Sequence, residues 1–334
     1  MNFRKLLYIS ALILTAVACD DEEEMITTPS LDGVLRIMNL PEFIAPKDTV
    51  TLTAKGVVHP DGGPVGYYWK VLPSQTKYDT TEVFGHRFSD SLKTYTVYCY
   101  AYAVDGGYSG LSSAGYTTAV APGYQGSISG INYKRIAEDS IMVRHMPYYY
   151  KKIGDQTWTL NNMAVREGLP FRNAEVMSEV FGRYYNFADA NAACDSLKAV
   201  SGDNWVLPSR SDWDVLESYL SSNTGEGKEL GKTPLAAFAA NACFNGKEFW
   251  EFWPKKIGKL TNGSGFSALS TGYANVKAKS FHGEFEYASF WTSDSVADSE
   301  TEAYYKYVFC DQPGIFTGKG NKESYGASVR CIRK

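Results

Sequence analysis

Between residues 31 and 120 apolar and polar positions alternate, and turn residues repeatedly interrupt the alternation. Thr49-Val50-Thr51-Leu52-Thr53-Ala54 reads as one strand, Pro60-Asp61-Gly62-Gly63-Pro64 as a turn, and Tyr67-Tyr68-Trp69-Lys70-Val71 as the next strand. The pattern resumes over 95–104 and 115–120. A period of two sends successive side chains to opposite faces, so short runs of this kind between Gly, Pro and Asp turns predict an antiparallel β-sandwich over 31–121. Trp69, central in its strand, is the expected inter-sheet anchor. Cys99 has no obvious partner in this segment and is expected to be a buried thiol, packing as a small apolar residue.

Beyond Ala121-Pro122-Gly123-Tyr124-Gln125-Gly126, which reads as a linker, the pattern changes. One helix is expected at 188–198 and another at 209–220. In the second, Ser209 or Ser211 can cap the N-terminus, and Trp213, Leu216 and Leu220 recur at helical spacing on one face. Aromatic-rich short strands and long Gly/Asn/Lys loops surround these helices. The expected architecture is therefore an all-β sandwich followed by an α+β domain over 127–334.

The chain opens differently again. Arg4 and Lys5 precede an apolar run over 6–17, which is too short to span a bilayer comfortably and reads as a signal peptide over 1–18. The run ends in Ala16-Val17-Ala18-Cys19, which resembles a bacterial lipobox and makes Cys19 the expected lipidation site. Several acyl chains on one residue would hold the protein stably at a membrane, which a single chain would not. Asp20-Asp21-Glu22-Glu23-Glu24 then repels itself into a solvated tether, so 19–30 is assigned as lipidated cysteine and leash. An acidic cluster at that place also resembles the export tag of Bacteroidota surface lipoproteins. It implies an outer-membrane protein facing the cell exterior.

Charge and cysteine content narrow the function. Removing the signal peptide moves the formal net charge from −4 to about −6, and no basic stripe suggests nucleic-acid binding. Five cysteines remain besides Cys19: Cys99, Cys194, Cys243, Cys310 and Cys331. Export permits disulfides, but an odd number leaves at least one thiol, and no C-x-x-C spacing suggests a metal. His59, His86, His145 and His282 share no spacing, and no G-x-S-x-G, H-E-x-x-H or P-loop occurs. No enzyme is expected.

Four ordered stretches carry a resemblance. They are Tyr150-Lys151-Lys152-Ile153-Gly154-Asp155-Gln156-Thr157-Trp158 with Asn161-Asn162-Met163; Asn204-Trp205-Val206-Leu207-Pro208-Ser209 with Asp212-Trp213; Gly265-Phe266-Ser267-Ala268-Leu269 with Gly272-Tyr273; and Phe290-Trp291-Thr292-Ser293 with Ser328-Val329-Arg330-Cys331-Ile332. Together they resemble the Fibrobacter succinogenes major paralogous domain. Two departures stand out: Cys194 lies well upstream of Trp205, and Val206 replaces an Arg. The segment before the linker resembles an immunoglobulin-like domain of the PKD type. In physical terms, Gly154 is expected to allow a tight turn between two strands. Trp158, Trp205, Trp213, Phe266 and Trp291 read as core.

The resemblance implies a C-type-lectin-like fold, in which one disulfide ties the first helix to the last strand; Cys194 and Cys331 stand where that link falls. Cys243 and Cys310 are a second candidate pair. Distant kinship to formylglycine-generating enzymes raises copper-dependent cysteine oxidation, but Cys310 and Cys331 lack the matching local sequence. Calcium-dependent sugar binding in such folds uses a Glu/Gln-Pro-Asn/Asp triplet ahead of a Trp-Asn-Asp. Here Gln312-Pro313-Gly314 comes after Phe290-Trp291-Thr292-Ser293 and lacks the acid. Asp294, Asp298 and Glu300 remain as candidate calcium ligands; no other cofactor is expected. Ring-rich and Gly-rich stretches supply the candidate ligand-binding residues Trp250, Trp253, Phe281, His282, Tyr287, Asp311 and Gln312, because rings stack on sugars and pack on peptides at little entropic cost. The expected protein is a non-catalytic surface lipoprotein that binds a glycan or peptide, or serves a SusC/SusD-type importer with its TonB-dependent channel. The alternative is an adhesin or surface-fibre component.

Overall fold

A computed structural model describes residues 28–73, 76–89, 93–120, 128–165, 167–244, 247–250 and 259–334. The signal peptide, Cys19, the acidic run, the linker and Trp253 lie outside the described residues. Over the described residues strand predominates, 43% against 17% helix, so the chain as a whole is predominantly β.

The first part is built from β1 (Asp32–Met38), β2 (Phe43–Ile44), β3 (Thr49–Val58), β4 (Val65–Leu72), β5 (Thr76–Thr80), β6 (Val83–Arg87), β7 (Lys93–Ala103) and β8 (Leu111–Ala119). One sheet runs β1-β3-β6 and the other β2-β8-β7-β4-β5. The two-residue period decides what faces inward. Tyr67, Trp69 and Val71 of β4 stand opposite Ala101, Cys99 and Val97 of β7, and all six are buried. Trp69 is fully enclosed, its ring stacked 5.1 Å from Phe84 of β6, so it bridges the two sheets. Its indole Nε1 donates to the Thr81 carbonyl at 3.3 Å, which satisfies the one polar atom such a ring carries inward. Cys99 is a buried thiol, its pKa pushed up to about 12 by burial, and is therefore chemically quiet.

The second part begins with β9 (Ile128–Ser129) and centres on a five-stranded antiparallel sheet. Its strands are β10 (Asp139–Val143), β11 (Met146–Ile153), β12 (Gln156–Thr159), β15 (Trp205–Val206) and β24 (Ile332–Arg333), in the order β10-β11-β12-β24-β15. Ile153 pairs with Gln156, which leaves Gly154 and Asp155 as a two-residue hairpin turn. Gly154 has φ +61°, and a Cβ there would meet the Tyr219 ring at 3.0 Å. The smaller pieces are β13 (Leu169–Pro170) with β14 (Arg183–Tyr184), and β16 (Cys243–Phe244) between β9 and β17 (Lys247–Glu248). β18 (Tyr273–Asn275) lies between β19 (Ser280–His282) and β23 (Tyr325–Gly326), and β20 (Tyr287–Ser295), β21 (Glu302–Phe309) and β22 (Phe316–Asn321) form a three-stranded sheet.

Two helices cover this assembly, Phe187–Ser201 and Arg210–Asn223, each running beyond its expected C-terminal end. Asn186 caps the first, and Gly202 ends it in the left-handed conformation. The second opens on a capping box: Ser209 accepts from the Asp212 N–H while the Asp212 carboxylate accepts from the Ser209 N–H at 2.8 Å. Trp213, Leu216 and Leu220 are buried on its inner face. Lys306 of β21, itself buried, clamps this helix to the sheet through Asp214 at 3.1 Å and Glu217 at 2.6 Å.

Cys194 of the first helix is bonded to Cys331, next to the last strand, across a sequence separation of 137. The second candidate pair, Cys243 and Cys310, does not form a disulfide. Cys310 is a buried thiol at the end of β21, its backbone N–H tied to the Glu286 carbonyl, whereas Cys243 lies in the separate sheet with β9 and β17. Their two sheets are not joined edge to edge, and no disulfide links them.

The two parts meet at a defined seam. Phe43 of β2 places its ring 6.3 Å from Phe171 and 6.4 Å from Phe244. Beside it, Arg172 donates Nε and Nη2 to Glu284, at 3.1 and 2.7 Å, and Nη1 to Glu42 of the sandwich.

Candidate functional site

Most motif residues build the core. Arg330 explains why the motif stretches occur together. Fully buried, it donates Nε to Asn162 Oδ1 at 2.7 Å and Nη1 to the carbonyls of Thr159 and Phe266 at 3.1 and 2.7 Å. Nη2 donates to the Ser267 carbonyl at 2.9 Å, and the guanidinium lies 4.6 Å from the Phe266 ring centre. One side chain thus joins three of the four stretches. Around it pack Trp158, Trp213, Phe238, Phe266 and Phe290, with ring centres 4.2–6.3 Å apart. Gln156 links the first stretch to the second, donating to the Asp212 carbonyl at 3.0 Å and accepting from Trp158 Nε1 at 3.2 Å.

The candidate ligand-binding residues separate into groups. Trp250 is core rather than surface: it is buried, and its Nε1 donates to the Ala268 carbonyl at 3.2 Å. Phe281 is half-buried against Phe171 and Tyr184, with ring distances of 6.3 and 5.6 Å. His282 is exposed and stacks on Tyr273 at 5.2 Å, and Tyr287 is half-buried and stacks on Tyr307 at 5.4 Å. Asp311 and Gln312 are exposed in the β21–β22 turn, where the Gln312 N–H bonds back to the Phe309 carbonyl.

His282 and Tyr287 belong to a larger aromatic surface. Tyr325 stacks between Tyr273 at 5.2 Å and Tyr305 at 4.4 Å, and Tyr307 packs against Phe316 at 5.6 Å. These rings are partly buried, and the Tyr325 hydroxyl is fully enclosed. Tyr305 faces Gly318 across the β21–β22 ladder, and a Cβ on that glycine would fall 2.4 Å from the tyrosine ring. The missing side chain lets the ring lie flat on the neighbouring strand. Burial raises the Tyr287 hydroxyl pKa above its ordinary value, with the nearby Tyr305 adding to the shift. The Tyr287 phenol is therefore neutral at neutral pH. The sequence reading missed Tyr273, Tyr305, Tyr307 and Tyr325; the visible signal was the alternation Tyr305-Lys306-Tyr307-Val308-Phe309.

The sandwich carries a second aromatic face. Tyr98 and Tyr100 of β7 point outward, 39% and 42% exposed, and Tyr116 of β8 is 67% exposed. Tyr100 stands opposite Tyr68, and Tyr98 opposite Lys70.

The calcium candidates do not converge. Asp294 accepts from the Arg210 N–H at 2.7 Å, at the start of a helix, and no three His, Cys, Asp or Glu side chains form a metal-binding group among the described residues. Among the same residues no helix is long and apolar enough to cross a membrane.

Comparison with known proteins gives a family match and matches among solved structures. One solved structure is the PKD domain from human VPS10 domain-containing receptor SorCS2, 16% identical, with 35% of this chain and 97% of that chain covered. Its TM-score is 0.20, too low to bear on the fold. No curated protein matches. The model of the Fibrobacter succinogenes major domain matches residues 152–333, more than half of the chain and the span that holds all four motif stretches. With Arg330 binding three of those stretches to one another inside that span, the chain belongs to the Fibrobacter succinogenes major domain family.

Proposed function

We propose that this protein is a non-catalytic, lipid-anchored surface protein whose second domain, arranged as a C-type-lectin-like module, binds a glycan or peptide. Cys19 would carry the lipid, the acidic run the leash, and the PKD-like sandwich would act as spacer. The origin this implies is a Bacteroidota outer membrane, with an importer of the SusC/SusD type as the natural neighbour. The carrying observation is the partly exposed surface of Tyr273, His282, Tyr287, Tyr305, Tyr307 and Phe316. Rings packed against one another by strand pairing lose little freedom on binding, and aromatic rings suit the C–H faces of sugars. The Cys194–Cys331 link between helix and last strand supports the lectin-like arrangement.

The test is a glycan array alongside a peptide library. Tyr307→Ala should weaken the leading hit about tenfold, the equivalent of one lost stacking contact. No binding to either library would sink this reading. For the anchor, Cys19→Ser should move the protein from the detergent phase to the aqueous phase of a Triton X-114 partition, and an unchanged partition would refute lipidation there.

The outward tyrosines of the sandwich favour a second reading, an adhesin or surface-fibre component docking protein partners through Tyr98, Tyr100 and Tyr116. Pull-down from solubilised outer membranes separates the two. Stoichiometric recovery of a TonB-dependent importer supports the first reading, and recovery of fimbrial subunits supports the second.

A further inference from the structure

The aromatic face of the sandwich is concave. A groove of about 310 Å³ opens on its outer side, at the small end of the range for ligand sites. Tyr68, Lys70 and Leu72 of β4 line one side, Tyr98 and Tyr100 of β7 with Ser112 of β8 the other, and Cys99 lies in the floor. The rings lie down on the sheet. A Cβ on Gly110 would fall 2.4 Å from the Tyr100 ring, and one on Gly66 would fall 2.4 Å from the Tyr102 ring. Each tyrosine therefore covers backbone that carries no side chain, and the two rings are within 17° of parallel, 6.5 Å apart. Beside them β8 sets only Ser112 and Ala114 opposite Tyr100 and Tyr98. Small neighbours leave the ring faces open to a flat ligand.

Charge narrows the choice of ligand. Lys70 stands opposite Tyr98, half-buried among these rings, and has no hydrogen-bond or ion-pair partner among the described residues. No acidic side chain lines the groove. At its rim β5 sets Lys77 opposite Lys70 and Asp79 opposite Tyr68, one charge of each sign, so Lys70 is the surplus. An ammonium is a compact point charge with donors and no acceptor, and a carboxylate is its natural counterpart. The groove thus calls for a ligand with a flat apolar face for the rings and an anionic group at the edge of that face.

We propose that this groove binds a uronic-acid polysaccharide, with sugar faces on Tyr98, Tyr100 and Tyr102 and a carboxylate on Lys70 Nζ. Tyrosine rings offer large, rigid contact area at low entropic cost. Such a chain carries one carboxylate on each sugar, which matches a single lysine set among several rings. A sulfated chain carries more charge than one ammonium answers, and an acidic peptide lacks the repeated flat face. The site is separate from the surface around Tyr273 and Tyr305, and it gives the outward tyrosines of the sandwich a glycan rather than a protein.

The full-length protein in detergent is titrated by calorimetry with a galacturonate hexamer, its fully methyl-esterified form, a heparin hexasaccharide and a glutamate hexapeptide. The galacturonate should bind about fivefold or more tightly than its ester, because only its carboxylates can pair with Lys70. Lys70→Gln should bring acid and ester to similar affinity and flatten the salt dependence of the acid. Tyr100→Ala should weaken acid and ester alike by about tenfold, the equivalent of one lost stacking contact. Both side chains face outward, so a melting temperature equal to the parent's confirms that each variant is folded. Tyr307→Ala should leave galacturonate binding unchanged, so failure here and failure at the Tyr273 surface read out separately. Four results overturn the proposal: ester and acid binding equally, heparin or the glutamate peptide binding as tightly as galacturonate, no galacturonate binding at about 10 mM, or full affinity in either sandwich variant.

Discussion

Replacing Arg330 tests the argument that one buried guanidinium holds the family's motif stretches together. Arg330→Met keeps the length and packing of the stem but removes every donor. The hydrogen bonds to Asn162 Oδ1 and to the carbonyls of Thr159, Phe266 and Ser267 vanish, and their acceptors stay buried. Hydrogen bonds from a charged donor are worth about 1.5–3 kcal/mol each, but bonds made by one group do not add, so a loss of at least about 4 kcal/mol is expected. That is a large share of the roughly 5–15 kcal/mol by which a domain is stable. Arg330→Lys keeps the charge, yet a single ammonium cannot reach Asn162 on one side and Phe266 and Ser267 on the other, so about 2–3 kcal/mol should be lost. Guanidinium chloride unfolding, followed by tryptophan fluorescence, reads this directly, because Trp158 and Trp213 lie within 5.8 Å of the Phe266 ring. If Arg330→Met does not fold, the cycle of Arg330→Lys with Asn162→Ala still decides the matter, with an expected coupling above about 1 kcal/mol. A loss below about 1 kcal/mol for Arg330→Met, at unchanged slope, would refute the reasoning.

Two further outcomes follow from the same structure. The Cys194–Cys331 link closes a loop of 137 residues, so replacing both cysteines with Ala should lower stability by up to about 5 kcal/mol by chain entropy. Calorimetry showing a change below about 1 kcal/mol would mean that the unlinked chain stays ordered. In the sandwich, burial beside Phe84 and Phe88 lowers the His86 pKa below the ordinary histidine value of about 6.5. A neutral histidine is then favoured in the folded state. Its contribution is complete above about pH 6.5 and is lost as the pH falls from there toward the folded pKa. His86→Phe should flatten the pH dependence of sandwich unfolding in that window; an unchanged profile assigns it to other groups.

How far the sequence could be read depended on the range of the interactions involved. The sandwich strands and the Trp69 anchor were legible because a two-residue period and turn chemistry are local. The helix caps were legible for the same reason: Ser209 and Asp212 stand three residues apart, and their bonds close within one turn. Trp250 was not legible as core. Its indole N–H bonds to the Ala268 carbonyl, 18 residues further on, which a window around 249–253 does not contain. The aromatic surface was half legible. His282 and Tyr287 stood in stretches rich in rings, but Tyr273, Tyr305 and Tyr325 join them through the pairing of β18 with β19 and β23 and of β20 with β21.

By itself the sequence determined the two-part organisation, the period of each part and the residues that recur in the family's stretches, because these follow from spacing along the chain. It could also show that the cysteines besides Cys19 are odd in number, though not which would pair. Tertiary structure alone decided that Cys194 meets Cys331 while Cys310 stays a thiol, that Arg330 finds its partners 63 to 171 residues away, and that Lys70 shares one groove with Tyr98 and Tyr100. The reason is physical. A hydrogen bond or a stacked ring depends on distance in space, and the closure of long loops brings together groups whose separation in sequence carries no sign of it.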